Sequence, residues 1–157
     1  MANKESFTLP DELAIRIARE SSRNLRRALL MLEASVVQHR GNGLDAQAVV
    51  QKPDWEIYIT QLASEITREQ TPQRLMAARD RLYELLVNCI PATVILKTLA
   101  FTLIENMDDC LKTQVLEMAA FCEHRIATTG NKEIFHLEAF VAKYMKIYKS
   151  YLNDLFG

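Results

Sequence analysis

The sequence predicts an all-α protein in which three short helices precede a five-helix bundle. Only four of its 157 residues are glycine and four are proline, and apolar residues recur every three or four positions along most of the chain. The strict alternation of apolar and polar residues that marks a half-buried strand is not found. The formal net charge of -1 predicts no general attraction to nucleic acid or to membranes.

Three helices are predicted before residue 53, at about 8–20, 23–38 and 44–50. The first begins at Thr8-Leu9-Pro10-Asp11, where a capping hydroxyl precedes a proline and an acid. The second is predicted to be capped by Ser22 or Asn24, and its buried stripe is expected at four positions: Leu25, Leu29, Leu32 and Val36. Residues 1–7 form a polar lead without periodicity and are interpreted as a linker.

A domain boundary is predicted at Pro53, which separates residues 8–52 from residues 53–157. Pro53 biases Lys52 away from helical backbone, and Asp54 can cap the helix that follows. Five helices are predicted after this boundary, beginning near Asp54, Pro72, Pro91, Asp108 and Glu133. The second of these has the clearest start signal, because Thr71 is a capping residue directly before a proline.

The last predicted helix, from about Glu133 to Leu155, is the longest of the chain and carries a broad apolar stripe. Its residues step by four and three positions, as in a coiled-coil seam: Leu137, Val141, Tyr144, Tyr148, Tyr151 and Leu155. Phe140, Ile147 and Leu152 widen the stripe beyond what one bundle face needs. Tyrosine suits a surface between subunits, so three residues are predicted as interface candidates: Tyr144, Tyr148 and Tyr151. Packing inside the domain's own core is the alternative.

The stretch Ser22-Arg23-Asn24-Leu25-Arg26-Arg27-Ala28-Leu29 places three arginines at a predicted helix start. The helix macrodipole disfavours cations there, and neighbouring like charges repel by a few tenths of a kcal/mol. A local rule broken in this way often marks a site that serves something outside the segment, such as an anion or an acidic surface. Three solvated charges are the simpler alternative.

This stretch resembles the sensor-2 segment in the lid of clamp-loader AAA+ subunits, whose common form reads Gly-Asp-Met-Arg-Arg-Ala-Leu. The resemblance is strongest to the replication factor C subunit 3 family and continues through six further stretches: Gln73-Arg74-Leu75, Leu82-Tyr83-Glu84-Leu85-Leu86, Cys89-Ile90-Pro91, Met118-Ala119-Ala120, Glu123-His124-Arg125 and His136-Leu137-Glu138-Ala139-Phe140-Val141-Ala142-Lys143. It implies that residues 8–52 end an AAA+ lid, that residues 53–157 form a five-helix collar, and that this chain is the C-terminal part of a longer subunit.

The same resemblance implies the nucleotide-binding residue and the partners. Arg26 corresponds to the arginine that reaches the nucleotide phosphates from the lid, although this sequence has Arg23-Asn24 where the common motif has Gly-Asp. The implied partners are the other replication factor C subunits of a hetero-pentamer, the sliding clamp and primer–template DNA. The implied setting is ATP-driven clamp loading in nuclear DNA replication and repair, with ATP and Mg in the full subunit and no cofactor in this region.

Catalysis by this region is not expected. A phosphate-binding loop needs clustered glycines before Lys and Ser or Thr, and none of the four glycines lies in that setting. No metal-ligand or nucleophile motif is found, and the three cysteines are interpreted as core residues. The most apolar run, residues 94–104, is too short to span a membrane. The alternative to clamp loading is a free-standing helical nucleic-acid-binding or adaptor domain that uses its arginines: Arg23, Arg26, Arg27 and Arg40.

Overall fold

The computed structural model of the chain describes residues 8–39, 49–50, 52–105, 107–130 and 132–156. These residues contain seven helices and no strand, which confirms the predicted all-α fold: α1 Asp11–Glu20, α2 Leu25–Gln38, α3 Asp54–Arg68, α4 Pro72–Val87, α5 Ala92–Glu105, α6 Asp109–Thr129 and α7 Glu133–Phe156. The chain divides into two compact units, residues 1–54 and residues 55–157. We call them unit 1 and unit 2.

Unit 1 is built on the pairing of α1 with α2. Its buried apolar residues come from both helices and from the chain just before unit 2: Leu13, Ile17, Met31 and Val50. The predicted cap Thr8 was wrong, because the residue before α1 is Pro10 and no side chain bonds to the first amides. Most of the predicted helix at 44–50 lies outside the described residues, and its last two residues, which are described, are not helical.

The predicted buried face of α2 was only partly right: Leu32 packs against the core of unit 1, as predicted, but the prediction that Leu25 is buried was wrong. Leu25 is 74% exposed, whereas Met31 and Ser35 are the buried residues of the helix. Ser35 tolerates burial because its hydroxyl donates to the carbonyl of Met31 at 2.8 Å, so the helix satisfies its own polar side chain. A serine therefore takes a core position that a count of apolar residues does not find.

Unit 2 is a five-helix bundle with one core. Helix α7 packs against α4, α5 and α6, and α5 also packs against α4 and α6. The start of α4 follows the prediction: Thr71 accepts a hydrogen bond from the amide of Arg74 at 3.2 Å, and Pro72 opens the helix. Helix α6 ends at Thr129 and is followed by the cap residue Gly130, whose φ of 62° is a left-handed conformation that favours glycine.

Ion pairs connect α3 and α7 to α4. From α3, Glu65 accepts from Arg74 at 3.3 Å and from Arg81 at 2.7 Å. From α7, Glu138 pairs with Arg79 at 3.4 Å. All these side chains are between 21% and 38% exposed, so each pair contributes little to stability. Their main effect is to specify which helix faces meet.

Candidate functional site

The corner between α1 and α2 carries the arginine-rich stretch. Ser22 and Arg23 both have left-handed backbone, with φ of 52° and 63°, which costs about 1–2 kcal/mol for each non-glycine residue. Asn24 is extended, and its side chain accepts from the amide of Arg27 at 3.1 Å. Helix α2 therefore begins after Asn24, and the prediction that Arg23 is helical was wrong, because its left-handed backbone cannot continue a right-handed helix.

Arg26 lies in the first turn of α2 and is exposed. It makes no hydrogen bond or ion pair with any residue that the structure describes. The first turn of α2 contains no acidic residue, so nothing in that turn neutralises the guanidinium. Arg26 therefore lies in the first turn of α2, exposed, and its nucleotide-binding role stays a prediction.

The apolar stripe of α7 changes from buried to exposed along the helix. Leu137 and Phe140 have no exposed surface, and Tyr144 is 1% exposed. Tyr148 and the residues after it on the stripe are only partly buried, and Leu155 is 55% exposed. The first half of the stripe therefore fills the core of unit 2, and the last two turns present apolar side chains to the outside.

Tyr144 belongs to the core, which corrects its prediction as an interface residue. Its hydroxyl lies 2.8 Å from the hydroxyl of Thr67 on α3, and its ring stacks on that of Tyr148 with centroids 5.8 Å apart. Burial raises the pKa of the Tyr144 phenol, because the anion would lose its hydration. Since almost no surface of the side chain is exposed, nothing remains for a neighbouring subunit to contact.

Tyr148 and Tyr151 differ in how far their hydroxyls are engaged. The Tyr151 hydroxyl donates to the carboxylate of Asp108, just before α6, and this bond raises the pKa of Tyr151 to about 12. The hydroxyl of Tyr148 has no partner among the described residues. Tyr148 is therefore the better interface candidate, because a partner can satisfy its hydroxyl without breaking an internal bond.

Two surface grooves along α7 were not predicted. One lies between α6 and α7 with a volume of about 490 Å³, and the other lies between α4 and α7 with a volume of about 340 Å³. Lys146 lines both grooves, so it stands on the ridge between them. The sequence does contain a signal, since lysines recur at positions 143, 146 and 149, but this spacing does not reveal which helices flank them.

The described residues offer little chemistry for catalysis. They contain no group of three or more His, Cys, Asp or Glu side chains that could hold a metal ion. Of the three cysteines predicted as core residues, Cys122 is buried, whereas for Cys89 and Cys110 the prediction was wrong, because both are exposed. Burial raises the pKa of the Cys122 thiol, which opposes nucleophile chemistry. His136 lies 3.0 Å from the hydroxyl of Thr129 through Nε2, a contact between neighbouring helix ends. In the part of the chain that the structure describes, no helix has the length and apolar character needed to cross a bilayer.

Two family models match this chain in the regions of its two units. Residues 55–152 match the family described as replication factor C subunit 3, C-terminal domain. Residues 1–37 match the family described as RCF1/5-like, AAA+ ATPase lid domain. The first match covers most of unit 2, including all of α4, α5 and α6. The second covers α1 and nearly all of α2.

Several curated proteins are similar to almost the whole chain. It is 53% identical over 154 residues to replication factor C subunit 5 of Neurospora crassa, which covers 98% of this chain and 43% of that protein. It is 48% identical to replication factor C subunit 3 of Homo sapiens, over 98% of the chain and 42% of that protein. It is 47% identical to replication factor C subunit 3 of Arabidopsis thaliana, over 100% of this chain and 44% of that protein. The chain thus spans less than half the length of these relatives.

Proposed function

Because the chain belongs to the replication factor C subunit 3, C-terminal domain family, we propose that it is the region that holds a clamp-loader subunit in its ring. In this proposal residues 53–157 form the collar and residues 8–52 form the end of the AAA+ lid. The observation that carries the proposal is the exposed end of the α7 stripe. A helix whose apolar stripe continues beyond the core of its domain exposes apolar side chains that another protein chain can contact.

The proposed contact surface consists of apolar and aromatic residues of the last α7 turns, none of which is fully buried: Tyr148, Tyr151, Leu152, Leu155 and Phe156. Leu155 is 55% exposed and Phe156 is 85% exposed, so a neighbour would remove much apolar surface from water. The two tyrosines add rings that bury area while their hydroxyls tolerate a wet rim. We name this set the α7 tip.

The full subunit would act with the other replication factor C subunits as a hetero-pentamer in the nucleus. That machine would use ATP and Mg to load the sliding clamp onto primer–template DNA in replication and repair. This chain would supply assembly and one nucleotide contact, without hydrolysing ATP by itself. A free-standing nucleic-acid binder is the competing proposal, and salt-dependent DNA binding by the chain alone would favour it.

The test of the α7 tip is co-purification of the full subunit with the other loader subunits. Tyr148→Ala with Leu155→Ala should reduce recovery of the five-subunit complex, while the isolated chain keeps most of its stability. Tyr83→Ala is the matched control, because Tyr83 is 60% exposed on α4 and is not part of the tip. Unchanged recovery of the complex with the double variant would place the interface elsewhere.

We also propose that Arg26 contacts the nucleotide phosphates in the assembled loader. Replacing it by alanine should change the free energy of unfolding by no more than about 0.5 kcal/mol, because the residue is exposed. Affinity of the assembled subunit for an ATP analogue should fall, by about tenfold if a charge-assisted bond of roughly 1.5 kcal/mol is lost. Arg23→Ala is the matched control, since that arginine is also exposed but precedes the helix. Equal affinities for both variants and the unaltered subunit would refute the role.

A further inference from the structure

The groove between α4 and α7 has an apolar floor. Pro72 and Leu75 line it from the first turn of α4, and Ala142 and Met145 line it from the middle of α7. Met145 is 6% exposed and is part of the bundle core, so the floor is continuous with that core. Methionine is a flexible side chain that adapts to different apolar partners. The part of the floor that remains accessible is formed by Pro72, Leu75 and Ala142.

The neutral polar groups at the end of this groove are already engaged. Gln70 donates its side-chain amide to the carbonyls of Ile66 and Thr67 at 3.0 and 2.5 Å. The hydroxyl of Thr71 caps α4 and donates to Glu69 at 2.8 Å. These residues close off the C-terminus of α3 and the N-terminus of α4. They have little capacity left to recognise a ligand.

The remaining polar groups are two cations on one wall. Lys146 and Lys149 line the groove from α7, and neither forms an ion pair with a residue that the structure describes. Two other lysines of unit 2 do have partners: Lys112 donates to Asp109 at 2.7 Å, and Lys143 lies 5.2 Å from the centre of the Phe121 ring. Among the described residues no carboxylate lines the α4–α7 groove; the nearby acids are Glu69, which is bonded to Thr71, and Asp154, which shares the α6–α7 groove with Lys146.

We propose that the α4–α7 groove binds an acidic amphipathic helix of a partner protein. Residues three apart on a helix have side chains about 5–6 Å apart, so Lys146 and Lys149 match two carboxylates one turn apart on the bound segment. The apolar side chains of the segment would cover Pro72, Leu75 and Ala142, which keep exposed surface in the groove. A protein segment fits better than nucleic acid, because phosphate binding needs a basic track rather than an apolar floor beside two lysines.

This inference does not depend on the α7 tip. Lys146 and Lys149 line the α4–α7 groove, and none of the α7 tip residues is among the residues that line it. The groove also differs from its neighbour between α6 and α7, which contains Asp154 beside its lysines. An acid in that second groove would repel the carboxylates that the α4–α7 groove attracts.

The experiment is a selection of random displayed peptides, each about four helical turns long, on the intact chain. Peptides that also bind an Ala142→Arg variant are discarded, because that arginine fills the α4–α7 groove. We expect the remaining peptides to carry paired acids beside apolar residues. Their affinity should fall at least about tenfold on Lys146→Glu with Lys149→Glu, since two ion pairs are replaced by repulsion. The control Lys97→Glu with Lys132→Glu has the same net charge and should bind within about twofold of the unaltered chain.

A charge swap completes the test. Peptides in which the acids are replaced by lysine should bind the Lys146→Glu, Lys149→Glu variant better than they bind the unaltered chain. The proposal is overturned if no peptide is lost on Ala142→Arg, if the selected peptides lack acids, or if the double variant binds them equally well. It is also overturned if single-stranded DNA, added as a competitor, binds through these lysines while no peptide does.

Discussion

The hydrogen bond between Thr67 and Tyr144 connects α3 to α7 and can be tested one partner at a time. The Thr67 hydroxyl lies 2.9 Å from the carbonyl of Ala63 and 2.8 Å from the Tyr144 hydroxyl. A hydroxyl has one hydrogen, and a carbonyl can only accept. Thr67 must therefore donate to Ala63, and Tyr144 must donate to Thr67.

This direction predicts unequal costs for the two removals. In Tyr144→Phe the threonine still donates to Ala63, so the loss is that of an ordinary hydrogen bond, about 0.5–1.5 kcal/mol. In Thr67→Val the phenol donor stays 1% exposed without a partner, which costs about 1–3 kcal/mol. The double variant leaves no unpaired donor and should be more stable than Thr67→Val alone.

Thermal and denaturant unfolding of the four proteins measure this asymmetry as a double-mutant cycle. In a bundle of this size, each kcal/mol corresponds to a shift of about 4 °C in melting temperature. Tyr58→Phe serves as a control, because its hydroxyl donates to Glu84 at the surface rather than in the core. The reasoning fails if Tyr144→Phe is the more damaging change, or if the double variant has the sum of the two single losses.

Three further predictions concern unit 2. Thr71→Ala should lower the free energy of unfolding by about 1 kcal/mol, through loss of the α4 cap, while Thr71→Ser should keep it in the same denaturant titration. The bond from Tyr151 to Asp108 raises the folded-state pKa from 10.0 to about 12, so its stabilising effect is complete below about pH 10 and is lost as pH rises toward 12. The melting temperature should therefore fall less steeply with pH over this range in Tyr151→Phe than in the unaltered chain. An equally steep fall in both proteins would contradict the assignment. Glu65→Gln should lower the free energy of unfolding by less than about 1 kcal/mol for each arginine partner and should make that free energy less sensitive to salt. A loss of several kcal/mol would mean that the pairs are not surface interactions.

The boundaries of the helices in unit 2 follow from local sequence. Thr71 before Pro72 and Gly130 after Thr129 act within a few residues of chain, through a capping hydroxyl and a left-handed backbone. Such signals need no knowledge of the tertiary structure. This is why the sequence predicts five helices there and the structure has five, α3 to α7.

The buried face of α2 could not be derived in the same way. The apolar count favours four residues, of which Leu32 packs against the core of unit 1 while Leu25 is exposed. The fully buried residues of the helix are Met31 and Ser35. Which side of a helix is buried depends on where its partner lies, and the partner here is α1, reached through a corner with two left-handed residues, Ser22 and Arg23. No local rule predicts left-handed backbone at a serine and an arginine.

The stripe of α7 illustrates the same limit at the candidate site. Its spacing predicts a single apolar line, and the structure confirms that line by burying Leu137, Val141 and Tyr144. Spacing alone cannot say where the neighbouring helices end, so it cannot separate core tyrosines from surface ones. Helix α6 begins at Asp109, and the Tyr151 hydroxyl meets Asp108 just before it. Leu155 and Phe156 are 55% and 85% exposed, and neither belongs to the core of unit 2. The point at which the stripe leaves the core is therefore a property of the packed bundle rather than of the spacing along α7.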